Sequence, residues 1–127
     1  MDQIPIQVLL HKRSIVLNLL KIIAALGTIA TGLFSLIKPL AVRGFTGLEA
    51  PGGRGITEIR AVLGGFFVAL GAAPLIFNSP DMYLMLGIAY LGVAAVRLVS
   101  MFVDKSLVQS NYISLATEVI LGIILVL

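Results

Sequence analysis

Four ionisable side chains interrupt the long apolar stretches of this sequence, namely Glu58, Arg60, Arg97 and Glu118. On membrane-insertion scales a charged residue near the centre of a helix costs about 2.5–3.5 kcal/mol, a cost that partners must offset. Arginine suits such a position because its planar guanidinium bonds a carboxylate through two parallel N–H groups and stays charged in apolar surroundings. The residue types therefore predict intramembrane Arg–Glu pairing, with Arg97 and Glu118 as the central pair.

Residue types needed for most catalytic and metal sites are missing or rare. The chain has no cysteine and a single histidine, His11, which excludes disulfides, thiolate nucleophiles, iron–sulfur clusters and bis-histidine haem. We find no nucleophile–base pair and no nucleotide-binding motif. We therefore expect no enzymatic activity, no metal site and no cofactor, with a lipid or quinone as the one candidate bound molecule. The net charge of +3 is scattered along the chain, so nucleic acid is not an expected partner.

The composition indicates the solvent in which the chain folds. Hydrophobic residues make up 59% of the 127 positions and charged residues 12%, against roughly 45–50% and about 25% in soluble domains. A soluble chain of this length has too much surface per volume to bury so much apolar side chain. The mean hydropathy is +1.10. We predict an integral membrane protein, with the lipid bilayer as its first partner.

Four apolar segments are long enough to cross a bilayer core of roughly 30 Å, which requires about 20 helical residues. Residues 1–127 are predicted to form one all-α membrane domain, an antiparallel bundle of four transmembrane helices. The helices are expected at about residues 14–37, 56–77, 81–103 and 108–127. Residues 38–55 form the one long connection and are rich in Gly and Pro. This loop either covers the mouth of the bundle or is a mobile surface segment.

Small and polar residues recur at helical spacing on each predicted span, which is typical of faces that pack inside a membrane bundle. On the first span the expected inner face consists of Asn18, Lys21, Ala25, Thr28, Gly32 and Ser35. On the second span it consists of Ala61, Gly64, Gly65, Ala69 and Ala72. These stripes predict close packing of helix backbones.

The predicted topology places Glu58, Arg60, Arg97 and Glu118 in one leaflet, whereas Lys21 on the first span lies in the other leaflet, where its side chain is expected to snorkel toward the surface. The second helix begins, the third ends and the fourth begins on the side of the long loop. Two acidic and two basic side chains at overlapping depth predict a buried network with a net charge near zero. Four further polar residues are candidates for lining a pocket beside this network: Tyr83, Tyr90, Ser100 and Asn111.

Three roles for such a network remain open. It can be structural, with ion pairs that fix the register of the helices. It can form a pocket that holds the anionic or carbonyl-bearing head group of a lipid or quinone. It can also belong to a proton or ion path, although a carboxylate that is neutralised by arginine titrates poorly as a carrier.

Three motifs resemble those of a bacterial membrane family that is catalogued only as a domain of unknown function, number 4345. They are the string from Glu58 to Gly65, the run from Gly92 to Arg97 with Ser100, and Glu118. That family is similar in having four helices, with E-x-R-A-x-x-G-G on the second, G-x-x-x-x-R-x-x-S on the third and a glutamate on the fourth. The resemblance covers residues 14–127 and implies that the motif charges belong together. A more distant likeness is to DoxX-like small membrane proteins, and neither likeness implies an established reaction.

These observations favour a small non-catalytic membrane protein. Our first hypothesis is an accessory, assembly or stabilising subunit of a larger membrane complex, whose partners are other membrane subunits or further copies of itself. The alternative is a protein that binds or transports a small ligand through an Arg97–Glu118 pocket. The expected location is the bacterial cytoplasmic membrane, as a multi-pass protein. The basic residues favour the long loop facing the cytoplasm by a narrow margin.

Overall fold

The computed structural model describes residues 4–127, which form an all-α structure without a β-strand in that range. Its α-helices are α1 (Ile6–Ile37), α2 (Arg43–Thr46), α3 (Gly52–Glu58), α4 (Phe67–Phe77), α5 (Pro80–Val103) and α6 (Gln109–Val126). A π-helical segment, Ile59–Phe66, joins α3 to α4 in one continuous rod, Gly52–Phe77, called the second span below. Together with α1, α5 and α6 it makes four helices that are long and apolar enough to cross a membrane. The predicted four-helix membrane architecture is confirmed.

The ends of these helices coincide with residues that stop or start helical structure. α1 ends just before Pro39, which has no N–H to continue a helix. Asn78 adopts a left-handed conformation with φ of 46° and ends α4, and Pro80 occupies the first turn of α5, where its fixed φ is favourable. At its other end α1 begins at Ile6, not at residue 14, because the sequence after Pro5 contains no proline until Pro39.

The long connection is folded against the end of the bundle. A 3-10 turn, Pro39–Val42, leads into α2, and the side chain of Val42 is fully buried. The ring of Phe45 packs against that of Phe34 on α1, with centroids 5.7 Å apart. An ion pair of 2.7 Å between Arg43 and Glu49 spans the next bend. Of the two expectations for this loop, the structure therefore favours the one in which it covers the bundle.

The inner face of the second span differs from its prediction. The structure buries Ile59, Gly64, Gly71 and Pro74, whereas Ala61, Gly65 and Ala69 are exposed. A π-helix bonds residue i to i+5 and so has a wider turn than an α-helix. Gly64 is five positions after Ile59, the spacing of one π-helical hydrogen bond. The prediction is right at Gly64 and wrong at Ala61, Gly65 and Ala69, because it applied the α-helical period through the π-helical segment.

The four long helices form two antiparallel pairs, α1 with the second span and α5 with α6, which pack more extensively within each pair than between them. Glycines permit the close approach. A Cβ atom added to Gly32 of α1 would lie 2.7 Å from the carbonyl oxygen of Gly64, and one added to Gly87 of α5 would lie 2.8 Å from Leu125 of α6. Between the pairs, the hydroxyl groups of Thr28 and Tyr90 are 2.6 Å apart and hydrogen-bonded.

This packing predicts different effects on stability for alanine substitutions at two glycines of α1, Gly32 and Gly27. Gly32→Ala is expected to destabilise the protein by about 1–3 kcal/mol, since the new methyl group meets backbone atoms that cannot move aside easily. Gly27→Ala is the matched control, because its Cβ would meet nothing within 4 Å. Reversible unfolding in mixed detergent micelles measures both changes. Equal stability of the two variants would contradict the close approach of α1 and the second span.

Candidate functional site

An ion pair between Arg97 on α5 and Glu118 on α6 lies at the centre of the candidate site. Nε of Arg97 donates hydrogen bonds to Oε1 and Oε2 of Glu118 at 3.0 and 2.8 Å, and Nη2 donates to Oε1 at 2.6 Å. This is the bidentate geometry that makes arginine–carboxylate pairs strong and directional. The predicted Arg97–Glu118 salt bridge is confirmed.

A third polar residue connects this pair to the turn between α5 and α6. Nη1 of Arg97 donates a hydrogen bond to Oδ1 of Asn111 at 3.1 Å, and the amide nitrogen of Asn111 donates to the backbone oxygen of Ser106 at 2.9 Å. The guanidinium is thereby held by side chains on one neighbouring helix and, through Asn111, by the turn itself.

The two partners of the ion pair differ in burial. The side chain of Glu118 is 11% exposed, whereas that of Arg97 is 30% exposed. The carboxylate is thus enclosed by protein, while part of the Arg97 side chain reaches the surface of the bundle. Each terminal nitrogen of a guanidinium carries two N–H groups, and each keeps one that has no acceptor among residues 4–127.

The exposed part of Arg97 lines a groove of about 460 Å³ at the junction of α5, the following turn and the start of α6. Its lining residues are Gly92, Val93, Val96, Arg97, Ser100, Met101, Ser106 and Asn111. Valine and methionine form apolar walls, and the polar groups gather at the end nearest the turn. The arrangement can hold a molecule that has one hydrogen-bond-accepting group and an apolar body.

Two of the four predicted lining residues lie in this groove, namely Ser100 and Asn111. Tyr90 does not line it, because its hydroxyl bonds Thr28 on α1. Tyr83 lines a different cavity, at the other end of the bundle. Tyr90 and Tyr83 precede Arg97 on α5 by about two and four helical turns, so neither lies at the height of the groove.

The predicted four-residue network reduces to one buried pair. Glu58 is exposed and bonds Arg54, one turn earlier on α3, at 2.8 Å. Arg60 is exposed and makes no ion pair within the described part of the chain. Ile59, between them, is buried. Glu58 and Arg60 are therefore exposed on either side of it, and neither forms an ion pair with Arg97 or Glu118.

The apolar part of the groove was not predicted. Gly92, Val93 and Val96 lie on the turns of α5 that precede Arg97 and Ser100, at the spacing of one helix face. That spacing and the motif run from Gly92 to Arg97 are the available signals. Their types are those of ordinary lipid-facing or packing residues, so their chemistry alone does not distinguish them. Among residues 4–127 no group of three or more His, Cys, Asp or Glu side chains is placed to hold a metal ion.

The fold and this site define a small multi-pass membrane protein with an intramembrane arginine–glutamate pair. A family described as "Domain of unknown function (DUF4345)" matches residues 16–127. The chain belongs to this family, which confirms the resemblance carried by its motifs. No curated protein and no solved structure matches the chain. The likeness to DoxX-like proteins stays a prediction.

The ion pair predicts a strong coupling between its two residues. Arg97→Leu is expected to destabilise the protein by about 3–5 kcal/mol, because it leaves the buried carboxylate of Glu118 without a partner. The double variant Arg97→Leu/Glu118→Leu is expected to recover most of this loss, since neither charge remains. Unfolding of both variants in mixed micelles gives the coupling free energy.

The exposed ion pair Arg54–Glu58 on α3 is the control for the comparison of the single and double variants. Arg54→Leu is expected to change the stability by less than about 1 kcal/mol, because the side chains of Arg54 and Glu58 are both largely solvent-exposed. A double variant of Arg97 and Glu118 as unstable as Arg97→Leu alone would show that the two charges do not stabilise one another.

Proposed function

We propose that this protein binds an amphiphilic molecule in the groove beside Arg97 and performs no chemistry on it. One observation carries the proposal: Arg97, partly exposed and hydrogen-bonded to Glu118 and Asn111, lines an apolar-walled groove between two membrane-spanning helices. A charged side chain in this position is costly and usually serves a function. Its unused N–H groups are directional donors that lipid tails cannot satisfy.

The polar end of the groove favours a neutral acceptor over a free anion. The charges of Arg97 and Glu118 cancel, so the site offers hydrogen-bond donors without a net positive charge. The hydroxyl of Ser100 and the amide of Asn111 add further donors at the same end. A carbonyl oxygen, as in a quinone ring or a lipid ester, accepts such bonds without the repulsion that Glu118 would exert on an anion.

The size and walls of the groove agree with this class of ligand. Its volume of about 460 Å³ is within the range of roughly 300–1,000 Å³ typical of small-molecule sites. Val93 and Val96 on one side and Met101 at the base provide apolar surface for a ring or for the first part of a chain. The rest of an amphiphile would extend into the surrounding lipid.

An accessory role in a larger complex is the second candidate. The observation that favours it is a band of large apolar side chains exposed along α5, namely Val96, Val99, Phe102 and Val103. A helix of a partner subunit would cover such a band as well as lipid does. In this case the Arg97–Glu118 pair has only a structural role, and the groove becomes part of the interface.

We further propose the bacterial cytoplasmic membrane as the location. This rests on the bacterial character of the resembling family and on the basic side chains at the two ends of the bundle. The long-loop end has Lys38, Arg43, Arg54 and Lys105, and the opposite end has Lys12, Arg13 and Lys21. The positive-inside rule then orients the long loop toward the cytoplasm.

Native mass spectrometry of the protein, extracted gently from its own membrane, tests the proposed function. We expect a defined small molecule bound at one copy per chain. Val96→Phe narrows the groove and is expected to lower ligand occupancy about tenfold, since a bulky ring competes with the ligand for space. Val99→Phe is the control: Val99 is on the same helix and is 62% exposed, but it does not line the groove.

Two outcomes would contradict ligand binding in the groove. In the first, Val96→Phe and Val99→Phe retain the same amount of ligand. In the second, the protein carries no small molecule and is found with another subunit at fixed stoichiometry, which supports the accessory role. Loss of that subunit on either substitution would then locate the interface on α5.

A further inference from the structure

A second polar cavity lies at the opposite end of the bundle from the groove. It has a volume of about 380 Å³ and is formed where α1 passes the turn between α4 and α5. Its lining residues are Asn18, Lys21, Ile22, Asn78, Pro80 and Tyr83. An ammonium, two amides and a phenol thus converge on one space, and each of these groups can donate a hydrogen bond.

The register of the helices places this cavity at the membrane boundary. Gly71 packs against Ala25, and the second span runs antiparallel to α1, so the turn at Asn78 lies level with Asn18. Residues 6–17 of α1 therefore extend beyond the turn, by about 18 Å at 1.5 Å per residue. We place the polar head groups at this height, because the apolar spans of α4 and α5 both end at this turn.

The charge of the cavity differs from that of the groove. Lys21 is half-buried and has no acidic partner within 4.0 Å among residues 4–127. Asp81, in the first turn of α5 beside the lining residue Pro80, offsets the partial positive charge of that helix N-terminus, but it is exposed and does not line the cavity. The cavity has a net positive charge, whereas the groove is neutral.

The polar neighbours of Lys21 are free to bind a ligand. The side chains of Asn18, Asn78 and Tyr83 make no hydrogen bond to any other described residue. Lys12 and Arg13 lie farther out on α1 and make this end of the molecule basic. A compact anion with several acceptor oxygens would satisfy these donors together, which a single carbonyl group would not.

We propose that the Lys21 cavity binds the phosphate group of an anionic phospholipid in the leaflet at the N-terminal end of α1. The lysine ammonium neutralises the phosphate, and the amides and the phenol hydrogen-bond its oxygens. Ile22 and the adjoining helices contact the start of the acyl chains. This site is independent of the groove, and the two lie in opposite leaflets.

Binding of phosphatidylglycerol to the purified full-length chain in a neutral detergent, followed by native mass spectrometry, tests this proposal. A diacylglycerol with the same acyl chains is the matched ligand that lacks the phosphate. We expect the wild-type protein to prefer phosphatidylglycerol, and Lys21→Gln to weaken that binding about tenfold by removing one charge-assisted contact. Lys38→Gln, at the other end of α1, is expected to bind as the wild type does.

Further variants keep the test decisive if Lys21→Gln does not fold. Tyr83→Phe retains the ring and removes only the hydroxyl group, and it is expected to weaken phosphatidylglycerol binding severalfold. Val99→Phe, on α5 but lining neither the cavity nor the groove, is expected to leave this binding unchanged. Equal binding of diacylglycerol and phosphatidylglycerol by the wild type would overturn the proposal, as would unchanged affinity in both Lys21→Gln and Tyr83→Phe.

The source of the phosphate is resolved in the same experiment. One outcome is that excess inorganic phosphate displaces phosphatidylglycerol from the wild type but not from Lys21→Gln. This result would support binding of a phosphate group by the cavity and would overturn the lipid as the source of that group. Failure of inorganic phosphate to compete supports the phospholipid, whose acyl chains then contribute to the affinity.

Discussion

The buried carboxylate of Glu118 requires a positively charged partner, and the rest of the structure depends on this requirement. It lies within a membrane-spanning helix and is almost fully enclosed, where an unpaired charge would be very costly. Arg97 meets this need through bonds of 2.6 to 3.0 Å. Because a bidentate pair tolerates little rotation or sliding, it fixes the relative height and orientation of α5 and α6. Gly87 of α5 and Gly122 of α6 closely approach the facing helix in the same α5–α6 register that the ion pair fixes.

The two helix pairs are joined more loosely than the helices within each pair. Glycines on α1, the second span, α5 and α6 bring backbones together inside a pair, where dispersion forces act over a long seam. Between the pairs a small cluster of Ala24, Ala25, Leu86 and Leu125 forms the core, and Thr28 and Tyr90 share a hydrogen bond. The groove lies on one pair, and the Lys21 cavity lies between the two.

The sequence predicted the parts of this structure that follow from composition and from the cost of buried charge. The number of spans and the Arg97–Glu118 pair are in this class, because few alternatives satisfy the same constraints. Glu58 and Arg60 are predicted to join this pair, but both are exposed and neither bonds it. Depth follows from counting residues along a helix, whereas the face depends on the helix period, which changes over Ile59–Phe66.

The groove and the start of α1 show a second limit of sequence analysis. The groove walls are valines and a methionine, which look the same in a sequence whether they face lipid, another helix or a ligand. Helix α1 begins at Ile6 because nothing in the local sequence stops it, and the hydrophobic pattern alone indicated only the part that the bilayer requires. Such features depend on where neighbouring helices end, and the local sequence of one helix does not contain this information.

The location of Arg97 and Glu118 on consecutive helices has a consequence for biogenesis. Helix α6 is the shortest of the four spans, with 18 residues, and it contains the glutamate together with several other polar side chains. Inserted alone, it would leave a carboxylate in hydrocarbon. Helix α5 is synthesised first and already contains the arginine, and only a short turn separates the two helices. The pair can therefore enter the bilayer as one electrically neutral hairpin, with the charge of α6 compensated at the moment of its integration.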